Sequence, residues 1–228
     1  MRKTSLTNKK IKMKTAIQIA LWILSIFFAY KIYRSVNDPI KFDKIKTERY
    51  AKVIDKLKKI RDAQEAYRTV TGSFAKDFNS LVKFIDTAQF AITQQRDTSW
   101  VEYDPVYRID MPKEGKVIDT LGFVSVKDSL FKDSDSYKKL MNVPYAPNNE
   151  TFTMKSGIID RSGFKASVFE AKVDKSIILH DQPKDLVAKE KQIISVDDVN
   201  GPEIIVGSLE DVKTTGNWPM IYDSKRKN

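Results

Sequence analysis

The sequence predicts an α+β protein: an N-terminal transmembrane helix, an amphipathic neck helix with a short second helix, and then a mainly antiparallel β-sheet domain. Three observations predict it. A run dominated by Ala, Ile, Leu, Trp and Phe occupies residues 15–33. Apolar residues then recur at three- and four-residue spacing as far as Val70. Beyond Thr93, short runs of β-branched and aromatic residues alternate with Gly, Pro, Asn and Asp clusters.

The first run, Thr15 to Tyr33, reads TAIQIALWILSIFFAYKIY. As a helix it spans roughly 28 Å, close to the hydrocarbon thickness of a bilayer. Gln18 and Ser25 are its polar interruptions before Lys31. Lys12 and Lys14 can reach headgroups at one end, Lys31 and Arg34 at the other, and Tyr30 and Tyr33 suit an interfacial belt. Arg2, Lys3, Lys9, Lys10, Lys12 and Lys14 precede the run with no acidic residue among them, whereas Arg34 stands near Asp38 and Asp43. That asymmetry places the N-terminus in the cytoplasm and the C-terminal part across the membrane. The bulky IFFAYKIY end offers no small-x-small cleavage site, so the expectation is an uncleaved, single-pass anchor with the folded domain on the far side of the bilayer.

Asn37-Asp38-Pro39 is expected to break the helix or form a short hinge. The neck helix then begins near Phe42 or Thr47. Tyr50, Val53, Leu57, Ile60 and Tyr67 form its stripe, with Gln64 at the missing step and Ile54, Ala63, Ala66 and Val70 widening it. This stripe either covers the domain's own sheet or meets another chain, so its residues are partner-contact candidates. Thr71-Gly72 ends the helix, and Asp77 is the expected N-cap of a shorter helix running to about Gln89.

Strands are expected at Val117 to Val126, with a break at Gly122, then at Thr151 to Lys155, Ser167 to Val173, Lys191 to Ser195 and Glu203 to Val206. Asn200-Gly201 reads as a hairpin turn. The chain thus divides into a basic cytoplasmic N-terminus (1–14), a transmembrane helix (15–33), a helical neck (34–92), a β-rich domain (93–224) and a basic tail (225–228).

The formal net charge of +10 does not point to nucleic acid. The six basic residues before the apolar run, with Lys31, Lys225, Arg226 and Lys227, account for the whole excess; the other 30 basic residues balance 30 acidic ones. The exported part is neutral, and a nucleic-acid partner would call for a basic surface there. With no cysteine, disulfides, thiolate metal sites and cysteine nucleophiles are excluded.

Catalytic signals are sparse. His180 is the single histidine, and its neighbour Asp181 would point away from it on an extended chain. Asp133 and Asp135 lack the later Gly and Glu of a calcium loop, and the cluster Asp197, Asp198, Asn200, Gly201 and Glu203 also misses that spacing. Glu102 and Asp104 beside Trp100 could mimic a glycosidase pair. None of Ser73, Ser156, Ser162 and Ser208 lies in a nucleophile motif, and there is no phosphate loop or dinucleotide fingerprint. The expectation is therefore no enzyme, no cofactor and no metal. Trp218, after a Gly-Asn turn, docks the C-terminus on the core or forms a binding surface; Trp100 is a further partner-contact candidate.

Ala63, Ala66, Tyr67, Gly72, Phe74 and Leu81 follow the layout of a helix, a Gly-aromatic turn and a short Leu-containing helix. In this stretch, residues 54–85, the chain resembles type IV pilins and pseudopilins, and as a whole it is similar to uncharacterised inner-membrane proteins of Bacteroidota. It departs from pilins in having no Gly-Phe processing site before the apolar run and no glutamate in TAIQI. The resemblance implies a helix embedded in a bacterial inner membrane, a periplasmic sheet domain and protein partners. The functional expectation is a structural or assembly component of an envelope machine, in contact with the lipid bilayer and other envelope proteins. The alternative is a tethered binding module for peptidoglycan, a polysaccharide or an exported protein.

Overall fold

The computed structural model describes residues 3–132, 134–161 and 163–223, with side chains described from Thr15 onward among the first residues. The basic side chains that precede the apolar run, Asp133, Ser162 and the Lys225-Arg226-Lys227 tail lie outside that description.

Helix α1 runs from Lys3 to Thr71 as one rod of 69 residues, about 100 Å long. The expected break at Asn37-Asp38-Pro39 is absent, since Pro39 lies inside the helix. Proline removes one hydrogen bond and crowds the preceding turn, at a cost of about 3 kcal/mol. Uninterrupted helix on both sides of Pro39 offsets that cost, and an Arg34–Asp38 ion pair of 3.0 Å spans the turn before it. Anchor and neck are therefore one element. Its first half is long and apolar enough to cross a membrane, with a mean hydropathy of 1.7 over the best window and none of that window buried.

The second half of α1 is the spine of the core. Phe42, Lys46, Tyr50, Val53, Leu57, Ile60 and Gln64 are buried on one face. Gly72, at φ +82°, donates to the Arg68 carbonyl at 2.8 Å and closes the helix. Gln64 fills the gap in the stripe usefully: it donates to the Ala75 carbonyl and accepts from the Ala75 N–H, pinning the loop that follows. Helix α2, Phe78–Thr87, starts at Asp77, whose carboxylate accepts from the Ser80 N–H at 2.8 Å. Leu81, Phe84 and Ile85 face α1, and the Phe84 and Tyr67 rings meet at 4.9 Å.

Two antiparallel sheets follow. Strands β1 (Gln89–Asp104) and β2 (Ile109–Ser125) form a two-stranded ribbon. Short helix α3, Val126–Phe131, returns the chain to the core. Strands β3 (Thr153–Arg161), β4 (Phe164–Asp174) and β5 (Glu203–Gly207) form a sheet in the order β3-β4-β5. Phe169, Ala171 and Val173 of β4 and Ile204 and Val206 of β5 turn into the core, and Phe169 meets Phe74 at 4.6 Å. Helices α4 (Lys175–Ile178) and α5 (Lys184–Glu190) link β4 to β5.

The expected strand at Lys191 to Ser195 is not formed. The Gln192 and Ile193 N–H groups bond back to the carbonyls of Lys189 and Glu190, so the segment turns off the end of α5. Gly201 has the expected positive φ of 78° but leads into β5 from a bend, with no hairpin around it.

Candidate interaction surface

The partner-contact candidates of the neck are occupied at home. Tyr50, Val53, Leu57 and Ile60 are buried by the chain's own sheet and loops, and Tyr67 is half-buried against Phe84. Trp218 is buried as well; its Nε1 donates to Asp223 at 3.2 Å. Gly216 makes room for that indole, because a Cβ there would lie 2.2 Å from the ring. These side chains close the core. Among the seven candidates only Trp100 is exposed, and it lies on the ribbon.

The ribbon is the unusual feature. Sixteen residues of β1 pair with seventeen of β2, so it projects about 50 Å. Its base is fixed where the Val126 N–H meets the Ala88 carbonyl and where Phe90 packs on the core. A bulge at Leu121, between the pairs Ile92–Gly122 and Thr93–Thr120, adds twist near that base. At the tip, Asp104 accepts from the N–H groups of Val106 and Tyr107, and Arg108 adopts φ 54° to turn the chain. Two cross-strand ion pairs brace the shaft, Arg96–Asp119 at 3.0 Å and Lys113–Glu102 at 2.7 Å. Trp100 lies over Gly115, where a Cβ would come within 2.6 Å of its ring.

Both faces of this ribbon are open to solvent, yet it is not polar. Toward the tip, Val101, Tyr103, Val106, Tyr107 and Ile109 are exposed, Val106 by 81% and Tyr107 by 69%. The register puts Trp100 and Tyr103 on opposite faces. A long two-stranded ribbon is marginal on its own in water, and grouped exposed apolar residues of this kind mark contact surfaces. Sequence reasoning identified Trp100 but missed the strand beneath it, since QQRDTS shows no alternation.

The acidic and histidine signals resolve into structural roles. Asp181 is held in a two-pronged pair by Arg49, at 2.5 and 2.8 Å, which drives its carboxyl well below the usual range. His180 is exposed beside the Ile177 carbonyl. Lys113 holds Glu102 below the ordinary carboxylate value, and Asp104 caps the ribbon turn. Asp135 pairs with Lys138 and Lys127. Asp198 pairs with Lys46, and Glu203 with Lys172. Among the described residues no group of three or more acidic or histidine side chains is placed to hold a metal ion.

One polar cluster that the sequence did not signal ties the spine to α5. Glu190 is buried and accepts from Lys175 at 3.1 Å, Lys46 at 3.3 Å and the Tyr50 hydroxyl at 3.2 Å. Lys175 is fully buried and also donates to the carbonyls of Glu190 and Val199. Burial pushes the Lys175 ammonium below its ordinary value despite these partners. Burial also opposes the charge on Lys46, but hydrogen bonding to Asp43 and attraction to Glu190 and Asp198 prevail, and its value is raised. Burial and the neighbouring Glu190 raise Tyr50. Each buried charge has several partners, which suits a structural clamp.

No protein-family model, no curated protein and no solved structure matches this chain.

Proposed function

We propose that this chain is a non-enzymatic, membrane-anchored assembly component of a bacterial envelope machine of pilus-like, secretion or motility type, acting through protein contacts of its periplasmic domain. In this reading residues 15–33 cross the inner membrane with the N-terminus in the cytoplasm. The continuous helix sets the domain at a fixed height, and the ribbon carries the contact surface outward.

The observation that carries the reading is the ribbon's exposed apolar outer third. A carbohydrate-binding module would favour a row of aromatic rings on one face. Trp100 and Tyr103 point to opposite faces, as suits a ribbon inserted between protein surfaces.

The test is affinity purification of the full chain from detergent-solubilised native membranes. Other envelope proteins are expected to co-purify, and the V101E/Y107E double substitution should release them without loss of the protein itself, since both side chains are exposed. Recovery of a lone monomer with the parental chain would overturn the proposal.

A further inference from the structure

We propose that the cleft between the end of the apolar helix and α5 binds the phosphate of an anionic phospholipid headgroup. The inference rests on the membrane-anchor reading and adds a site to it. The cleft has a volume of about 390 Å³. One wall is a single face of α1, formed by Tyr30, Lys31, Arg34 and Asp38; the other is formed by Pro183, just before α5, and by Leu186 and Lys189 of α5.

Charge and height both fit a headgroup. Arg34 is already engaged by Asp38 at 3.0 Å. Lys31 and Lys189 have no carboxylate partner among the described residues, and the single further acid lining the cleft is Asp185. Lys31 sits where the apolar run ends, and its ammonium lies 5.9 Å from the ring of Phe27 one turn deeper. Ile23, Phe27 and Tyr30 lie along the same side of the helix and are exposed, so a phosphate held at Lys31 leaves its acyl chains running down an apolar track. Phe42, the first buried residue of the spine, is eight positions beyond Arg34, about 12 Å, so α5 stands near the bilayer surface.

The cleft is also built to keep its shape. Glu190 at the end of α5 is clamped to Lys46 and Tyr50 of α1, and Val187 is buried. The two walls are thereby fixed relative to each other, and Lys31 and Lys189 line the cleft from its two sides, where both can donate to one phosphate.

The test uses the full chain, extracted from membranes in mild detergent and analysed by native mass spectrometry with phosphatidylglycerol or phosphatidylcholine added. Retention of phosphatidylglycerol over phosphatidylcholine is expected, with a fall of at least about fivefold in Lys189→Glu, as removal of one interfacial cation predicts. Lys213→Glu, beside Arg68 at the far end of the spine, should retain the lipid. Equal retention of both lipids, or no effect of Lys189→Glu, would overturn the site. Displacement of the lipid by millimolar inorganic phosphate would show a site for soluble anions and also overturn it. A carbonate wash of the membranes separates the two readings: release of the protein defeats the anchor, whereas retention without bound lipid defeats the cleft alone.

Discussion

The two antiparallel sheets of this chain follow opposite rules. In the β3-β4-β5 sheet, Phe169, Ala171 and Val173 turn inward while Glu170 and Lys172 alternate with them, and the inward face is sealed by α1. In the β1-β2 ribbon neither face is sealed, and exposed apolar residues run from Phe123, Leu121 and Ile118 in its base half to Val106 and Tyr107 at its tip. The first sheet is part of what folds the domain. The second is held by ladder hydrogen bonds, two ion pairs and one Trp-over-Gly contact, and leaves exposed the kind of surface the first one buries. The difference separates residues that stabilise the body from residues available to a partner.

Substitutions should divide along that line. Phe169→Ala, which empties the contact with Phe74, is expected to destabilise the domain by about 3–5 kcal/mol in urea unfolding of the solubilised full chain. Glu190→Ala leaves the buried Lys175 ammonium without a carboxylate, while Lys46 keeps Asp43 and Asp198, and should cost about 3–5 kcal/mol in the same assay. If either variant unfolds like the parent, the body is not the packed unit described. Asp77→Ala removes the cap of α2, with an expected loss of about 1 kcal/mol.

Asp181 sharpens the comparison through pH. Arg49 depresses its carboxyl in the folded state, so the pair's contribution is present above the unfolded value of about 4 and is lost as pH falls below it toward the folded one. The pair is partly exposed and its worth is under about 1 kcal/mol. Asp181→Asn should therefore lower stability slightly at pH 7 and flatten the acid-side decline; an unchanged decline would remove Arg49–Asp181 from the account. Smallest of all, Val101→Ala or Tyr107→Ala should shift stability by no more than about 0.5 kcal/mol.

Much of the packed body was legible in the sequence because burial leaves periodic traces. The stripe from Tyr50 to Tyr67, the Asp77 cap, the positive φ at Gly72 and strands β4 and β5 all follow from spacing and residue type. The ribbon's first strand was not legible, because a strand wet on both faces has no alternation to betray it. Pro39 misled in the other direction: a local breaker was outweighed by helix formation on both sides. Ile193 and Ile194 suggested a strand, but Ile194 is 92% exposed in the irregular segment after α5. The stripe's residues were found correctly, while their occupant, the chain's own domain or another protein, depends on long-range packing that spacing alone does not encode. The Lys46–Lys175–Glu190 clamp joins Lys46 to Glu190, 144 positions away, and left no local signature.

The central claim is that the ribbon tip is the surface this protein offers to others. Site-specific photo-crosslinking in native membranes tests it most directly, with a photoreactive side chain in place of Tyr107 on the tip or Ile194 on the body, both exposed. The account predicts a discrete protein adduct from position 107 and none from 194. Absence of any protein adduct at 107, or equal adducts at both positions, would contradict it.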